Sequence, residues 1–176
     1  VSYDCLLSTS YSINKDNSLL NCRIEGLENR SPLRLIIDRE LKIIKTSPII
    51  NDSRKKNTII FHNSKNKKKI NYLKSKGIKL EYVDLDKNGQ LNLKKVFSNI
   101  YKIGISSVIV EGGKSLTKNL LKNNLINEFY LFRSNRNLKK FGKNKINDLM
   151  KKINNLIKKK ENIDTFLNGD EIIRYF

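Results

Sequence analysis

Apolar residues along this chain fall into two alternating registers. Short continuous runs read as strands: "YDCLLS" (3–8), "LRLIID" (33–38), "NTIIFHN" (57–63), "IKLEYVDL" (78–85) and "SSVIVE" (106–111). "INEFYLFRS" (126–134) and "EIIRYF" (171–176) extend the series. Between them apolar positions recur at helical spacing. Residues 66–77 place Ile70 and Leu73 three apart, with Gly77 as the stop. Residues 91–104 put Leu93, Val96, Phe97 and Ile100 on one face and end at Gly104. Residues 114–125 align Leu116, Leu120 and Leu121, and a late helix carries Ile146, Leu149, Met150, Ile153, Leu156 and Ile157. Pro32 and Pro48 fall at expected strand edges, and 135–145 is the most loop-like stretch. Strands that are apolar throughout, alternating with helices, predict an α/β fold: a mostly parallel central sheet with helices on both faces.

The chain has 176 residues, which suits one domain, and 38% hydrophobic content supports a packed core and excludes a disordered chain. Apolar runs fall well short of the roughly 20 residues of a membrane span, and the N-terminal stretch lacks the pattern of a signal peptide, so a cytoplasmic location is expected. The first residue is Val and the only Met is Met150, which leads us to expect a fragment that begins inside a domain. Cys5 and Cys22 are expected to be reduced thiols. The formal charge of +19 raises nucleic acid as a partner. Its lysines are spread along the whole chain and rarely interleaved with aromatics, which fits solvated faces better than a polyanion groove. Nucleic-acid binding is therefore kept as the alternative.

Two stretches carry candidate chemistry. In "SSVIVEGGKSLTKNLL" (106–121) a strand ends at Glu111, two glycines follow, and a helix begins at Lys114 and Ser115. Gly112 and Gly113 can take positive φ and let a ligand approach the backbone closely, next to a helix start suited to phosphate. In "STSYSINKDNSLLNCR" (8–23) a polar segment after a strand carries Ser12, Asp16, Asn17 and Arg23, and reads either as a ligand loop or as a surface loop. "DLDKNGQLNLKK" (84–95) imitates the start of a calcium loop, but Lys95 stands where a bidentate Glu is needed, so a turn before a helix is expected. His62, the only histidine, reads as structural, and the residues offer no metal site.

Three motifs occur in order: Ser12-x-x-x-Asp16-x-x-x-Leu20-x-x-Arg23, then Pro32-x-Arg34-x-x-x-Asp38, then Val110-Glu111-Gly112-Gly113. Together they resemble the reductase domain of bacterial riboflavin biosynthesis proteins, over most of the chain up to about residue 134. The resemblance implies a dihydrofolate-reductase-like fold, a homodimer, and NADPH-dependent reduction of 5-amino-6-(5-phosphoribosylamino)uracil. By matching position it implies substrate contacts at Leu20, Arg23 and Glu111. It implies cofactor contacts at Ser12, Asp16, Arg39 and Gly113, continuing through Lys114, Ser115, Leu116, Thr117, Lys118 and Asn119. No catalytic residue is assigned. The chain departs from the family pattern at Thr9, Tyr11, Ser12 and Ser18, where glycine, Asn, Thr and proline are usual. The family's first strand, the helix after it and the preceding zinc deaminase domain are not found, so residues 1–176 are expected to form a single reductase domain of impaired activity. A decayed, non-catalytic paralogue is a further alternative.

Overall fold

The computed structural model describes residues 3–52, 57–136, 146–164 and 169–176, and divides into two compact units, Val1–Gly113 and Lys114–Phe176. In the first unit five strands form a wholly parallel sheet. They are β1 (Cys5–Thr9), β2 (Leu33–Ile37), β3 (Thr58–His62), β4 (Lys79–Tyr82) and β5 (Val108–Val110), in the order β4-β3-β2-β1-β5. The register sets Leu7 beside Leu35 and Val110, and Ile36 beside Ile60. Four helices accompany the sheet: α1 (Ser10–Asp16), α2 (Pro48–Asn51), α3 (Lys67–Ser75) and α4 (Leu93–Lys102).

Alternation along the strands explains the two layers. Ile36 and Ile60 point to one face and pack with Ile13 of α1, Ile49 and Ile50 of α2, and Leu73 of α3. Ile59 and Phe61 point to the other, beside Asn99, Lys102 and Ile103 at the end of α4. Each fully buried Ile contributes about 1.5–3 kcal/mol of transfer free energy, which is why apolar strands were readable from the sequence.

Differences from the sequence reading have physical causes. Residues 10–16, read as part of a polar stretch, form α1. Their one buried apolar residue is Ile13, too few for a helical period, and the helix is instead capped by Thr9, whose Oγ1 accepts from Ser12 N–H at 3.2 Å. Pro48 is not at a strand edge. It opens α2 at the first turn, where a missing N–H costs nothing.

The second unit contains α5 (Lys114–Lys122), β6 (Phe129–Arg133), α6 (Asn147–Leu156), β7 (Lys160–Ile163) and β8 (Glu171–Tyr175). The two late strands expected from sequence are present, but they pair antiparallel in a separate sheet of order β6-β8-β7. The polar β7, "KENI", has no apolar pattern to announce it. Arg174 on β8 joins Glu128, just before β6, and Glu161 on β7, each at 2.9 Å. The Arg174 guanidinium, with the Tyr130 hydroxyl, holds the Glu128 carboxyl below its usual range. Most of the expected 135–145 loop lies outside the described residues.

At the amino ends of β1 and β5, Asp4 Oδ2 accepts from the backbone N–H groups of Ser106 and Ser107 at 3.0 and 2.8 Å. It also accepts from both hydroxyls. Four donors on one carboxylate bring its pKa from 3.8 down to about 2. The folded-state value is depressed, so this contribution is fully present above pH 3.8 and is lost as pH falls through about 2. The expected result is a flatter loss of stability between pH 4 and 2 for Asp4→Asn than for the wild type, read as urea midpoints. Parallel slopes would refute the assignment.

Candidate functional site

The sheet order places a topological switch next to β1. The chain leaves β1 through α1 toward β2 on one side, while β5 lies on the other. In open parallel sheets the carboxyl ends of the strands at such a switch form the ligand crevice. Glu111 follows β5, and its N–H donates to Leu7 O at 2.9 Å, so Glu111, Gly112 and Gly113 adjoin the end of β1 where Thr9 to Ser12 begin α1. Glu111 and both glycines are exposed. The positive φ open to these glycines is not used: neither occupies the left-handed region. A Cβ placed on Gly113 meets nothing within 4 Å, so there is open space on that side of the residue.

The other residues singled out by sequence fall as follows. Ser12 is half-buried, its hydroxyl 3.1 Å from that of Thr9, and Asp16 is exposed at the end of α1. Leu20 has φ 50° and its side chain lies in the core with Ile13 and Ile36, so a ligand would meet its backbone. A non-glycine residue there is strained by roughly 1–2 kcal/mol, and the segment is held by Arg34, which donates to Leu19 O at 3.3 Å. Arg23 is exposed in the following loop. Arg39, after β2, already donates to Gly89 O at 2.5 Å and pairs with Glu40, which also binds Lys42 at 2.7 Å. Lys114, Ser115, Leu116, Thr117, Lys118 and Asn119 form the first six residues of α5 in the second unit, where Leu116 is buried.

Two further residues of this region, Asp38 and Asn14, carry no functional assignment from the sequence. Asp38, buried just past β2, accepts from the N–H groups of Lys42 and Ile43, both at 2.8 Å, and from the Ser10 hydroxyl. Burial pushes its carboxyl up, against those hydrogen bonds. Asn14 bonds both Lys42 O and Ile44 N–H. Only Asp38 had a sequence signal, as the end of the Pro32-x-Arg34-x-x-x-Asp38 motif.

The apparent calcium loop is a turn. Asp86 Oδ1 accepts from the N–H groups of Asn88 and Gln90, and Asn92 caps α4. His62 is buried edge-on against Tyr82 at 5.9 Å, with Nδ1 accepting from Ser64 N–H. Burial lowers its pKa. Among the described residues, no group of three or more His, Cys, Asp or Glu side chains is placed to hold a metal ion. No helix among them is long and apolar enough to cross a membrane.

A model of the RibD C-terminal domain matches residues 2–134. The chain belongs to the RibD C-terminal domain family. Riboflavin biosynthesis protein RibD of Bacillus amyloliquefaciens is 26% identical over 131 residues, which are 74% of this chain and 34% of that protein. The chain thus spans about a third of the length of that curated relative. Among solved structures, Acinetobacter baumannii RibD aligns over 99% of this chain and 47% of its own, with TM-score 0.72 and 16% identity. The diaminohydroxyphosphoribosylaminopyrimidine deaminase/5-amino-6-(5-phosphoribosylamino)uracil reductase of Thermotoga maritima aligns over 98% and 45%, with TM-score 0.68 and 19% identity. These likenesses establish the dihydrofolate-reductase-like α/β fold of the RibD C-terminal domain.

Proposed function

We propose that this chain is the cofactor-binding part of an NADPH-dependent reductase of riboflavin biosynthesis, acting on 5-amino-6-(5-phosphoribosylamino)uracil. Family membership supports the coarser statement, an oxidoreductase of riboflavin biosynthesis. The observation that carries the finer one is the β1/β5 switch, where Gly113 leaves a space that any Cβ would begin to fill. That is what close approach of a pyrophosphate to backbone requires. When bound, the nicotinamide cofactor supplies hydride. The chain's residues bind and orient: Ser12 and Asp16 present polar atoms from α1, and Gly113 admits the cofactor. Glu111 faces the substrate as a hydrogen-bond acceptor, and Arg23 offers a bidentate grip for the ribose phosphate. Arg39 reaches the cofactor's extra phosphate only by exchanging Glu40 for it, a like-for-like swap of anions.

Calorimetric titration of the chain with NADPH and with NADH tests this. The expected result is saturable binding with about a tenfold or greater preference for NADPH, since one lost phosphate–guanidinium contact is worth 1.4 kcal/mol or more. Equal affinities would remove Arg39 from the site. Uptake that collapses steeply with salt, without preference between the two nucleotides, would favour the polyanion reading.

A further inference from the structure

After Asp38, residues Lys42, Ile43 and Ile44 belong to no helix or strand, yet side chains satisfy most of their backbone. Asp38 Oδ1 and Oδ2 take the N–H groups of Lys42 and Ile43, each at 2.8 Å. Asn14 Nδ2 donates to Lys42 O at 3.0 Å, and Asn14 Oδ1 accepts from Ile44 N–H at 3.0 Å. Lys69 Nζ donates to Ile43 O, and its charge also offsets that of buried Asp38. The Ile44 carbonyl accepts from Ser47 N–H at 3.0 Å. An irregular segment specified to this degree acts as a rigid seat.

What it seats is α1. A helix of seven residues is not stable by itself, so its placement depends on tertiary contacts. Ser10 and Asn14 are four apart and share a face, and both are tied to the seat, Ser10 through Asp38 and Asn14 directly. Ile13, buried in the core beside them, completes that face. Ser12 and Asp16 are also four apart, each about 200° around the helix from its clamped neighbour. Clamping one face therefore sets the direction of the other.

We propose that Asp38 and Asn14 are positioning residues of the nucleotide site: through residues 42–44 they fix α1, and with it Ser12 and Asp16, at the β1/β5 crevice. This rests on the cofactor reading above. Neither residue touches the cofactor; each acts through the helix.

The test uses Asn14→Ala and Asn14→Asp in the whole chain. NADPH dissociation constants are measured by calorimetry under conditions where urea titrations show every protein folded. Ala removes both hydrogen bonds, whereas Asp keeps the acceptor for Ile44 N–H and loses the donor to Lys42 O. The expected result is NADPH affinity weakened about tenfold in Asn14→Ala and about threefold in Asn14→Asp, in line with one or two lost hydrogen bonds. A lower urea midpoint with a dissociation constant within about twofold of wild type shows a purely structural clamp, and overturns the proposal while leaving the cofactor reading intact. Failure of the wild type itself to take up NADPH overturns the cofactor reading, and the positioning role with it.

Discussion

Gly113→Val is expected to abolish NADPH binding by this chain and to leave its unfolding midpoint nearly unchanged. Both halves follow from the geometry of one residue. The φ of Gly113 lies outside the left-handed region, and a Cβ there meets no atom within 4 Å, so a side chain can start from this position without left-handed backbone strain or overlap at Cβ. The stability change is expected within about 0.5 kcal/mol, as for surface substitutions elsewhere, with some gain from a less flexible unfolded chain. On the proposed cofactor reading, the isopropyl group then occupies the space through which a phosphate would reach the backbone. Affinity is expected to fall by at least about a hundredfold, equivalent to about 2.7 kcal/mol. Gly113→Ala, with one methyl group, should fall between. Isothermal titration with NADPH beside urea denaturation reads both quantities. Binding by the Val variant within threefold of wild type would show that the cofactor does not approach Gly113, and would move the site away from the β1/β5 switch.

The contrast between legible and hidden parts of this site is physical. β2 and β3 are apolar in "LRLII" and "TIIFH" because both faces are covered, so periodicity alone reveals them. The turn at Glu111 was visible as a strand end meeting glycines, but the reason for the glycines was not. Composition cannot separate a glycine that adopts positive φ from one that does not, and Gly113 is the second kind. Helix α1 was hidden because a capping threonine and a clamp hold it, with Ile13 as its only buried apolar residue. The clamp was hidden as well: Asn14 and Lys42 are 28 residues apart, and a polar pair at that separation leaves no period to detect. The same limit applies to β6 and β8. Their patterns announced strands, yet alternation does not say whether a strand joins the first sheet or, as here, pairs antiparallel in a second.

The largest loss of stability is expected at Arg34. This guanidinium is almost completely buried on β2, and its five N–H donors meet five acceptors. Nε donates to Thr58 Oγ1 at 2.9 Å, Nη1 to Leu19 O at 3.3 Å and Asp52 Oδ2 at 2.7 Å, and Nη2 to Ile49 O at 3.4 Å and Asp52 Oδ1 at 3.0 Å. One side chain thus ties β3, the end of α2 and the loop that carries the left-handed Leu20. Arg34→Met keeps the length and apolar stem, and strands a half-buried carboxylate and two carbonyls. Breaking a buried pair from one side costs about 3–5 kcal/mol, against a total of roughly 5–15 kcal/mol for a domain. Arg34→Lys keeps the charge but not the planar fork, and should still lose about 2 kcal/mol or more because three donors cannot replace five at fixed angles. The double variant Arg34→Met/Asp52→Asn should recover part of the loss, since the uncompensated charge is gone. Urea denaturation of the four proteins measures the series. A cost below about 1 kcal/mol for Arg34→Met would mean that Asp52 turns to water unaided, and that the Leu20 segment holds its strained backbone by burial alone. The opposite outcome makes the Pro32-x-Arg34-x-x-x-Asp38 motif a structural unit, in which Arg34 anchors the loop of Leu20 and Arg23 while Asp38 anchors the helix of Ser12 and Asp16.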